Sequence, residues 1–384
     1  VPDQYNFGYQ IVAGARKKYG PDIWKSAMNY TAKYPFIITP FNKGIKKVCG
    51  MSKEKLYRDI FNELDSSWEK QKKELSYNPF KEITAGKQRI YTNYKFPHYL
   101  NDSAFIAEKS GMDDIARFVE IKRNGEERTV HTPGFYTYES LSITRTIDPN
   151  TDDGKNSPNT YTTDNLSLSK DFMVWSERKF DKRWSLRDYS VICTYNLKTG
   201  KTHQITRKSR YFAPYLFPDA QKIAAVEVTE DNTCSMVILD SKTGNVIRKF
   251  PAGENSQFLT PSVSDNGKRI VSVMFNSKGK SIVFINPADG SLKTIVQPTF
   301  DEITNPFLYK NYLLYNGVNS GIDNIYALDT LTGKVFQLTS ALYGAGDIDV
   351  SPDGKKMVYC NYTPGGYQIA ESDFNPSKWI PIEK

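Results

Sequence analysis

The segment from Asp148 to Gly154, DPNTDDG, carries oxygen-bearing side chains at alternate positions. Asp148, Asn150 and Asp152 have the alternation of calcium-loop ligands, because oxygen atoms at every second position converge on one ion. The glycine comes one residue late for such a loop, and Asn159 stands where a bidentate glutamate is expected. An ordinary polar insertion is therefore the favoured interpretation, with a calcium site as the alternative. We expect no other cofactor.

A second segment, WSERKFDKRW, runs from Trp175 to Trp184 and concentrates residue types that are enriched at protein interfaces. We expect it to connect two strands. An arginine guanidinium offers bidentate contacts to carboxylates, and a tryptophan ring offers a flat stacking surface. We therefore predict a partner-binding surface at Arg178, Arg183, Trp184 and Arg187. The alternative is that Trp175 packs inside the fold and the charged side chains are solvated.

The three histidines, His98, His131 and His203, stand far apart in the sequence. A zinc peptidase site of the HExxH type needs two histidines four residues apart on one helix face, together with a glutamate base. This sequence has no HExxH motif. We therefore expect no zinc and no peptide hydrolysis by that route.

Two kinds of turn repeat along the chain. Segments that begin with Asn or Asp and end at a glycine close at Gly200, Gly244, Gly290 and Gly333, at spacings of 44, 46 and 43 residues. An Asx side chain bonds its own backbone and the glycine closes the turn, as in a hairpin. A second turn recurs in VSDNGKRIVSV and VSPDGKKMVYC. One unit thus holds two hairpins, about four strands in roughly 45 residues, which is the size of a propeller blade.

Counting these units predicts six blades. Their expected spans are 91–133, 160–207, 210–251, 256–298, 303–340 and 345–384. Four of these units open near a proline, namely Pro97, Pro214, Pro261 and Pro306. The long second interval predicts about 30 inserted residues near 135–165. A short strand in 80–85 precedes the first blade, and we expect it to pair as the outer strand of the last blade and to close the ring.

The units SPDGKKMVYC and NIYALDTLTGKVFQLT resemble the repeats of TolB-like six-bladed β-propellers, which are related to WD-type repeats. The resemblance covers residues 80–384. It implies a mainly β fold, with residues 76–90 as a linker and ring-closing strand and residues 91–384 as the propeller. In such a ring His98 would lie at the central channel, although a structural histidine is the favoured interpretation. The resemblance also implies a periplasmic or outer-membrane-associated setting.

Residues 1–75 have a different composition and predict a small helical domain. Gly20-Pro21 and Tyr34-Pro35 interrupt the segment, and an apolar period of four that begins at Leu56 predicts a long last helix. The sequences YNFGYQIVAGARKKYG and GMSKEKLYRDIFNEL resemble the last helices of gluzincin-type, thermolysin-like metallopeptidases. Because the zinc motif is missing, this resemblance implies a remnant or the end of a larger peptidase.

The net charge of +8 comes mainly from the first 75 residues, which contain 14 basic and 8 acidic residues. The propeller part is nearly neutral, so nucleic acid is not an expected partner. No run of 18 apolar residues occurs, so the sequence predicts no membrane span. We expect a monomer that binds a protein, a peptide or a glycan on one face of the ring.

Two functions agree with these features. The first is a non-enzymatic extracytoplasmic scaffold whose blade-connecting loops bind a partner. The second is the C-terminal part of a larger zinc metallopeptidase, in which the propeller positions or filters the substrate. The resemblance does not choose between them, because this fold hosts scaffolds, peptidase gates and lyases. We favour the first function, and therefore expect that the chain is not an enzyme.

Overall fold

The computed structural model describes residues 4–75, 78–84, 90–134, 142–143, 172–184 and 186–382. The chain divides into two compact units, Val1–Ser76 and Tyr77–Lys384. The first unit is helical and the second is built from β-sheets, in agreement with the predicted fold class. No helix among the described residues is long and apolar enough to cross a membrane.

Four helices make up the described part of the first unit. They are α1 (Gln4–Tyr19), α2 (Ile23–Lys33), α3 (Pro40–Cys49) and α4 (Lys53–Glu74). The hydroxyl of Ser52 accepts a hydrogen bond from the amide of Lys55 at 3.3 Å and caps the start of α4. Leu56 and Ile60 then recur one turn apart and are buried with Ala15, Ile23 and Ile45 in one apolar core. The four-residue period in the sequence predicts this buried side of the helix.

Six sheets make up the second unit, and each is one blade of a six-bladed β-propeller. The strand before the first blade is β1 (Lys81–Glu82). The first three blades contain β2 (Thr92–Asn101), β3 (Ala104–Gly111), β4 (Arg117–Lys122) and β5 (Glu127–His131); β6 (Ser142–Ile143), β7 (Phe172–Phe180), β8 (Asp188–Asn196) and β9 (Lys201–Gln204); and β10 (Tyr211–Leu216), β11 (Lys222–Val228), β12 (Cys234–Asp240) and β13 (Val246–Pro251).

The remaining blades follow in chain order. They contain β14 (Gln257–Val263), β15 (Ile270–Asn276), β16 (Gly279–Ile285) and β17 (Leu292–Thr299); β18 (Ile303–Tyr309), β19 (Tyr312–Gly317), β20 (Asn324–Asp329) and β21 (Val335–Gln337); and β22 (Ala345–Val350), β23 (Lys356–Thr363) and β24 (Gly366–Asp373). The last strand is β25 (Ile380–Ile382). Apolar clusters fill the spaces between neighbouring blades.

The ring closes through the strand that precedes the first blade. Strand β1 pairs antiparallel with β24, with Lys81 opposite Glu371. The amide of Ile83 donates to the carbonyl of Ile369 at 2.8 Å, and the Ile83 side chain is buried. The sixth blade therefore has no open outer edge at this position, as the sequence predicts.

One strand lies inside the predicted insertion. Ser142–Ile143 falls within the span 135–165, yet it pairs with Val174 and Met173 as the inner strand of the second blade. The predicted start of this blade at residue 160 is therefore wrong. Two residues give no detectable alternation, so the sequence pattern could not show this strand.

The end of the chain also differs from its predicted place. The sequence pattern places these residues in the sixth blade, but β25 pairs with β21 and is the fifth strand of the fifth blade. The Trp379 ring explains the crossing. It is buried against Tyr312 at 4.9 Å and Phe336 at 5.9 Å, both in the fifth blade. The residues that follow Trp379 are thereby placed along the edge of that blade.

Strand order divides the connections between two faces of the ring. In each blade the chain runs from the inner strand to the outer strand. The connections between blades, and those between second and third strands, therefore lie on the face where the inner strands begin. We call this side the entry face. The repeated Asx turns join third to fourth strands and lie on the opposite face. In two of them the side-chain oxygens of Asn196 and Asp240 accept hydrogen bonds from the amides of Thr199 at 2.9 Å and Thr243 at 2.8 Å.

Five inner strands contain the same irregularity. Their pairing register shifts between Lys95 and His98, Phe212 and Tyr215, Leu259 and Ser262, Thr304 and Phe307, and Gly346 and Asp349. Inside each bulge a non-glycine residue has positive φ, namely Phe96, Ala213, Thr260, Asn305 and Asp347. A proline follows the first four of these residues. Because proline has no N–H, it leaves no unpaired donor at the bulge.

A buried polar network joins the first blade to the sixth. One oxygen of Glu371, Oε1, accepts hydrogen bonds from the Tyr99 hydroxyl at 3.0 Å and from Nη2 of Arg123 at 2.6 Å. The amide of Tyr99 donates to Oδ2 of Asp349 at 2.9 Å. Burial and the nearby Glu371 carboxylate raise the pKa of Tyr99 well above its usual range, so its hydroxyl stays a donor.

Replacing Glu371 by alanine should lower the free energy of unfolding by about 3 kcal/mol, because a buried hydroxyl and a guanidinium lose their acceptor. Glu120→Ala is the matched control, since its partner Arg128 is 73% exposed. An exposed ion pair contributes about 1 kcal/mol or less. Denaturant unfolding followed by tryptophan fluorescence measures both variants. Equal losses would show that the network does not hold the first and sixth blades together.

Thr260→Gly should raise the free energy of unfolding by about 1 kcal/mol, because a β-branched residue is strained at positive φ and glycine is not. Thr260 has a φ of 43°. Ser262→Gly is the control on the same strand, where the hydroxyl donates to the carbonyl of Pro306 at 2.6 Å. That variant should be destabilised in the same unfolding assay. A loss of stability in both variants would mean that the Thr260 backbone is unstrained.

Candidate functional site

The five bulge residues line a cavity in the centre of the ring. Its volume is about 660 Å³, and its wall also includes Glu302 and Gly344 from blade connections on the entry face. The cavity therefore lies at the entry-face end of the central channel. A smaller pocket of about 70 Å³ continues along the same inner strands and is lined by Pro97, Pro261 and Pro306.

One wall of the cavity is apolar. It is formed by the third and fourth blades. Its apolar residues are Phe212, Ala213, Val226, Val228, Phe258 and Leu259, and these blades also contribute Cys234, Gln257 and Thr260. The other wall comes from the fifth, sixth and first blades and is polar. Its principal side chains are Thr304, Asn305, Asn316, Asp323, Asp347, Tyr367 and Lys95. A cavity of this size with one apolar and one polar wall fits a small amphipathic ligand or a short segment of a longer one.

Asp347 is held in a fixed orientation on the polar wall. Its Oδ1 accepts a hydrogen bond from Nδ2 of Asn305 at 2.6 Å, and its amide donates to Oδ1 of Asn316 at 3.3 Å. The Cys360 thiol lies 3.7 Å from Oδ2 of Asp347 and acts as a donor. Burial raises the pKa of Cys360 well above its usual value, so this residue is a thiol rather than a nucleophilic thiolate.

Charged groups of both signs face the cavity. The Lys95 ammonium lies 5.5 Å from the centre of the Tyr367 ring. Among the residues that the structure describes, neither Lys95 nor Asp347 has an ion-pair partner within 4.0 Å. Partial burial and the nearby Glu302 raise the pKa of Asp323. Glu302 itself is paired with Lys280.

Glu108 is a fully buried carboxyl behind this wall, directly opposite Lys95 in the strand pairing. Neither of its oxygens has a hydrogen-bond partner in good geometry within the described part of the chain. Burial raises its pKa to about 7, while Ser110 and Lys95 lower it and Asp347 raises it. The carboxyl is therefore close enough to two residues of the cavity wall to interact with their charges.

His98 lies at the channel, as the sequence predicts. It lines the smaller pocket, and its Nδ1 is 3.6 Å from Oδ2 of the buried Asp349. The carboxylate also accepts the amide hydrogen of Tyr99 at 2.9 Å. The imidazole thus adjoins the network that joins the first and sixth blades, which agrees with a structural role.

The predicted partner-binding residues lie at one end of the second blade. Strand β7 continues to Phe180, so most of the segment WSERKFDKRW is a strand and its prediction as a connection is wrong. Trp175 is fully buried 5.2 Å from Phe118, which confirms the packing proposed in the alternative interpretation. The register of nine residue pairs between β7 and β8 determines which tryptophan faces inward.

The rest of this segment is on the entry face. Trp184 is 56% exposed, and the guanidinium of Arg183 lies 5.0 Å from the centre of its ring. Arg178 is paired with Asp188, and Nη2 of Arg187 lies 3.0 Å from Oε1 of Glu230. The partner-binding role of these residues remains a prediction. The predicted calcium ligands Asp148, Asn150 and Asp152 lie outside the described residues.

The entry face exposes many large apolar side chains. In its connections these are Met112, Ile115, Trp184, Leu186, Phe300 and Tyr343. Leu186 is fully exposed, and Phe300 is 87% exposed. Leu331 is exposed in a turn of the opposite face. Large apolar side chains on one face suit contact with a partner where they lie beside a cavity.

The cavity residues are not among those that the sequence predicts as a site. Phe96, Ala213, Thr260 and Asn305 each stand directly before a proline of the repeated series. That position was the available signal, because a bulge at the same place in every inner strand turns the same position toward the channel. Proline also restricts the backbone of the residue before it, but this restriction alone does not predict positive φ.

Glu108→Gln should remove part of the pH dependence of stability. The pKa of Glu108 is raised from 4.5 to about 7 in the folded state, so the folded protein retains this proton while the unfolded chain loses it. The free energy of unfolding should therefore fall by about 3 kcal/mol as the pH rises through this interval. The variant should lack this fall in thermal unfolding at pH 5 and pH 8, whereas Glu120→Gln should keep it. Parallel curves for Glu108→Gln and the unaltered protein would disprove the raised pKa.

No family model and no curated protein matches this chain. Solved structures do match it. An oligogalacturonate lyase in complex with manganese has a TM-score of 0.50 and 11% identity, over 79% of this chain and 98% of that one. TolB from Acinetobacter baumannii has a TM-score of 0.44 and 15% identity, over 78% and 66% of the two chains. A puromycin-hydrolysing peptidase of Mycobacterium tuberculosis has a TM-score of 0.48 and 13% identity, over 81% and 50%.

These similarities correct one expectation and leave another untested. The prediction that the chain is not an enzyme is contradicted, because the similar structures include an oligogalacturonate lyase. The resemblance of residues 1–75 to gluzincin-type metallopeptidases stays a prediction. At these identities the similarity concerns the fold alone. The chain is a six-bladed β-propeller similar in fold to TolB.

Proposed function

We propose that the propeller binds a peptide segment of a protein partner on its entry face, with part of the segment inside the central cavity. The observation that carries this proposal is the exposure of apolar side chains in the connections of the face at which the cavity lies. Leu186, Phe300 and Met112 are each more than four-fifths exposed there. Burying such side chains against a partner is favourable because it removes apolar area from water.

The two faces differ in how their backbone groups are satisfied. On the opposite face the repeated Asx turns bond their own amides, as Asn196 and Asp240 do. These amides are therefore satisfied within the turns and are not available to a partner. The entry-face connections vary in length and sequence from blade to blade, as binding loops on a rigid scaffold do.

The size and chemistry of the cavity favour a peptide segment. A cavity of about 660 Å³ is too small for a folded domain and has room for a few residues. Asn305, Asn316 and Gln257 carry amides that pair well with peptide N–H and C=O groups. The apolar wall beside Phe212 and Phe258 suits a side chain of the same segment.

The proposal includes a cellular location, and it also bears on the metallopeptidase alternative. The TolB-like resemblance of the repeats supports an extracytoplasmic location. The alternative from the sequence, a propeller that positions substrate for a larger zinc metallopeptidase, also requires a peptide in the channel. Both therefore share the binding step that the geometry supports. A glycan ligand is the remaining alternative, and peptide selection would fail to find it.

The test is selection of peptides from a random dodecapeptide library displayed on phage, followed by fluorescence anisotropy with the best peptide. Arg183→Ala and Trp184→Ala should each weaken binding by about 30-fold, the equivalent of 2 kcal/mol at a true anchor. The melting temperature should change little, because Trp184 is 56% exposed. Leu331→Ala, on the opposite face, is the control and should leave both quantities unchanged.

Three results would count against the proposal or its details. If no peptide is enriched over an unrelated control protein, peptide binding on this face is wrong. If Leu331→Ala weakens binding as much as Trp184→Ala, the entry face is not the binding face. If Trp184→Ala lowers the melting temperature by many degrees, Trp184 has a packing role and the second-blade loop is not a recognition surface.

A further inference from the structure

The charges of the central cavity are not balanced by the protein itself. Among the described residues, the Asp323 carboxylate has no hydrogen bond and no ion pair. Asp347 accepts a hydrogen bond from the neutral amide of Asn305, but no cation lies within 4.0 Å of it. Lys95 is the cation that lines the cavity beside these two carboxylates. The polar wall therefore carries an excess of negative charge.

A second observation, which does not involve hydrogen bonds of Asp323 or Asp347, also indicates an excess of negative charge. Glu108 is fully buried and lacks a hydrogen-bond partner in good geometry within the described residues. Its carboxyl interacts with the charges of Lys95 and Asp347. Ser110 and Lys95 stabilise its ionised form, and in that form it adds to the negative charge around Asp347. A cation bound near Asp347 would offset this added charge.

The apolar wall limits what this cation is attached to. Phe212, Phe258 and Leu259 face the cavity from the third and fourth blades, across from the carboxylates of the fifth and sixth. A metal ion would satisfy the carboxylates but leave the apolar wall empty. A ligand that joins a cationic group to an apolar group satisfies both walls at once.

We propose that the cavity takes a primary ammonium group joined to an apolar side chain, with the ammonium at Asp323 and Asp347 and the apolar group against Phe212 and Phe258. This inference rests on the proposed function, because the peptide is its source. Two parts of a peptide have this chemistry. One is the amino-terminal residue with an apolar side chain, and the other is a lysine, whose methylene chain is apolar and whose end is an ammonium.

Four tetrapeptide amides separate these sources. They are Leu-Ala-Gly-Ala with a free amino terminus, the same peptide N-acetylated, N-acetyl-Lys-Ala-Gly-Ala, and N-acetyl-norleucine-Ala-Gly-Ala. Acetylation removes the charge of the amino terminus and changes little else. Dissociation constants are measured by ligand-observed NMR on the full chain. We expect acetylation of the leucine peptide to weaken binding at least tenfold.

Substitutions of the two aspartates test where the ammonium group of the peptide binds. Asp323→Asn and Asp347→Asn should each weaken binding of the free-terminus peptide about tenfold and leave the weak binding of its acetylated form unchanged. Asp323 lies in a connection and is partly exposed, so its variant should fold even if Asp347→Asn does not. The control is Glu254→Gln, an exposed entry-face carboxyl outside the cavity wall. It should leave binding of every peptide unchanged.

Each outcome has a defined meaning. Equal binding of the free and acetylated leucine peptides, with no gain for lysine over norleucine, overturns the inference while the proposed function stands. Absence of binding by all four tetrapeptides overturns it as well, even if dodecapeptides are selected. Tight binding of the acetylated lysine peptide alone supports the inference and assigns the ammonium to a side chain. Failure of the dodecapeptide selection, by contrast, removes the proposed function itself.

Discussion

Closure of the ring is the constraint on which the rest of the structure depends. A propeller blade leaves a row of unpaired backbone groups at its outer edge and an apolar side facing each neighbour, so an open ring would expose both. Here two residues of β1 complete the sixth blade, and the Tyr99–Glu371–Arg123 network joins that blade to the first. Inner strands of five of the six blades line the cavity, so the cavity depends on the closed ring.

The repeated bulge supplies residues that line the central cavity of this ring. A regular inner strand would direct alternate side chains into the two neighbouring blade interfaces. A bulge with positive φ turns one position of each strand toward the axis instead, and the five strands then differ only in which residue stands there. Alanine and threonine stand there in the third and fourth blades, asparagine and aspartate in the fifth and sixth, and phenylalanine in the first. Differences at this one structurally equivalent position thus contribute to the asymmetry of the cavity.

Sequence reasoning predicts the parts of this structure that repeat. The Asx and PDG-type turns give the blade size, the blade number and the closing strand, because each turn needs the same few residues. The short strands Ser142–Ile143 and Ile380–Ile382 were misplaced, since two or three residues carry no periodic signal. Trp175 and Trp184 have equal propensities, and only strand register makes one buried and one exposed. The cavity was missed because its residues come from different blades and share no residue type.

The path of the last strand determines which strand pairing breaks first when the chain is pulled from its C-terminal side. Ile380–Ile382 crosses from the sixth blade to the fifth, held by the buried Trp379. Tension applied beyond residue 382 would therefore load a three-residue ladder on the fifth blade first. The closing strand β1 belongs to the opposite end of the propeller chain. It would carry no force until the hydrogen bonds between β25 and β21 had broken. The joint between first and sixth blades is thus mechanically shielded from one terminus, so the two ends of the chain do not open the same joint.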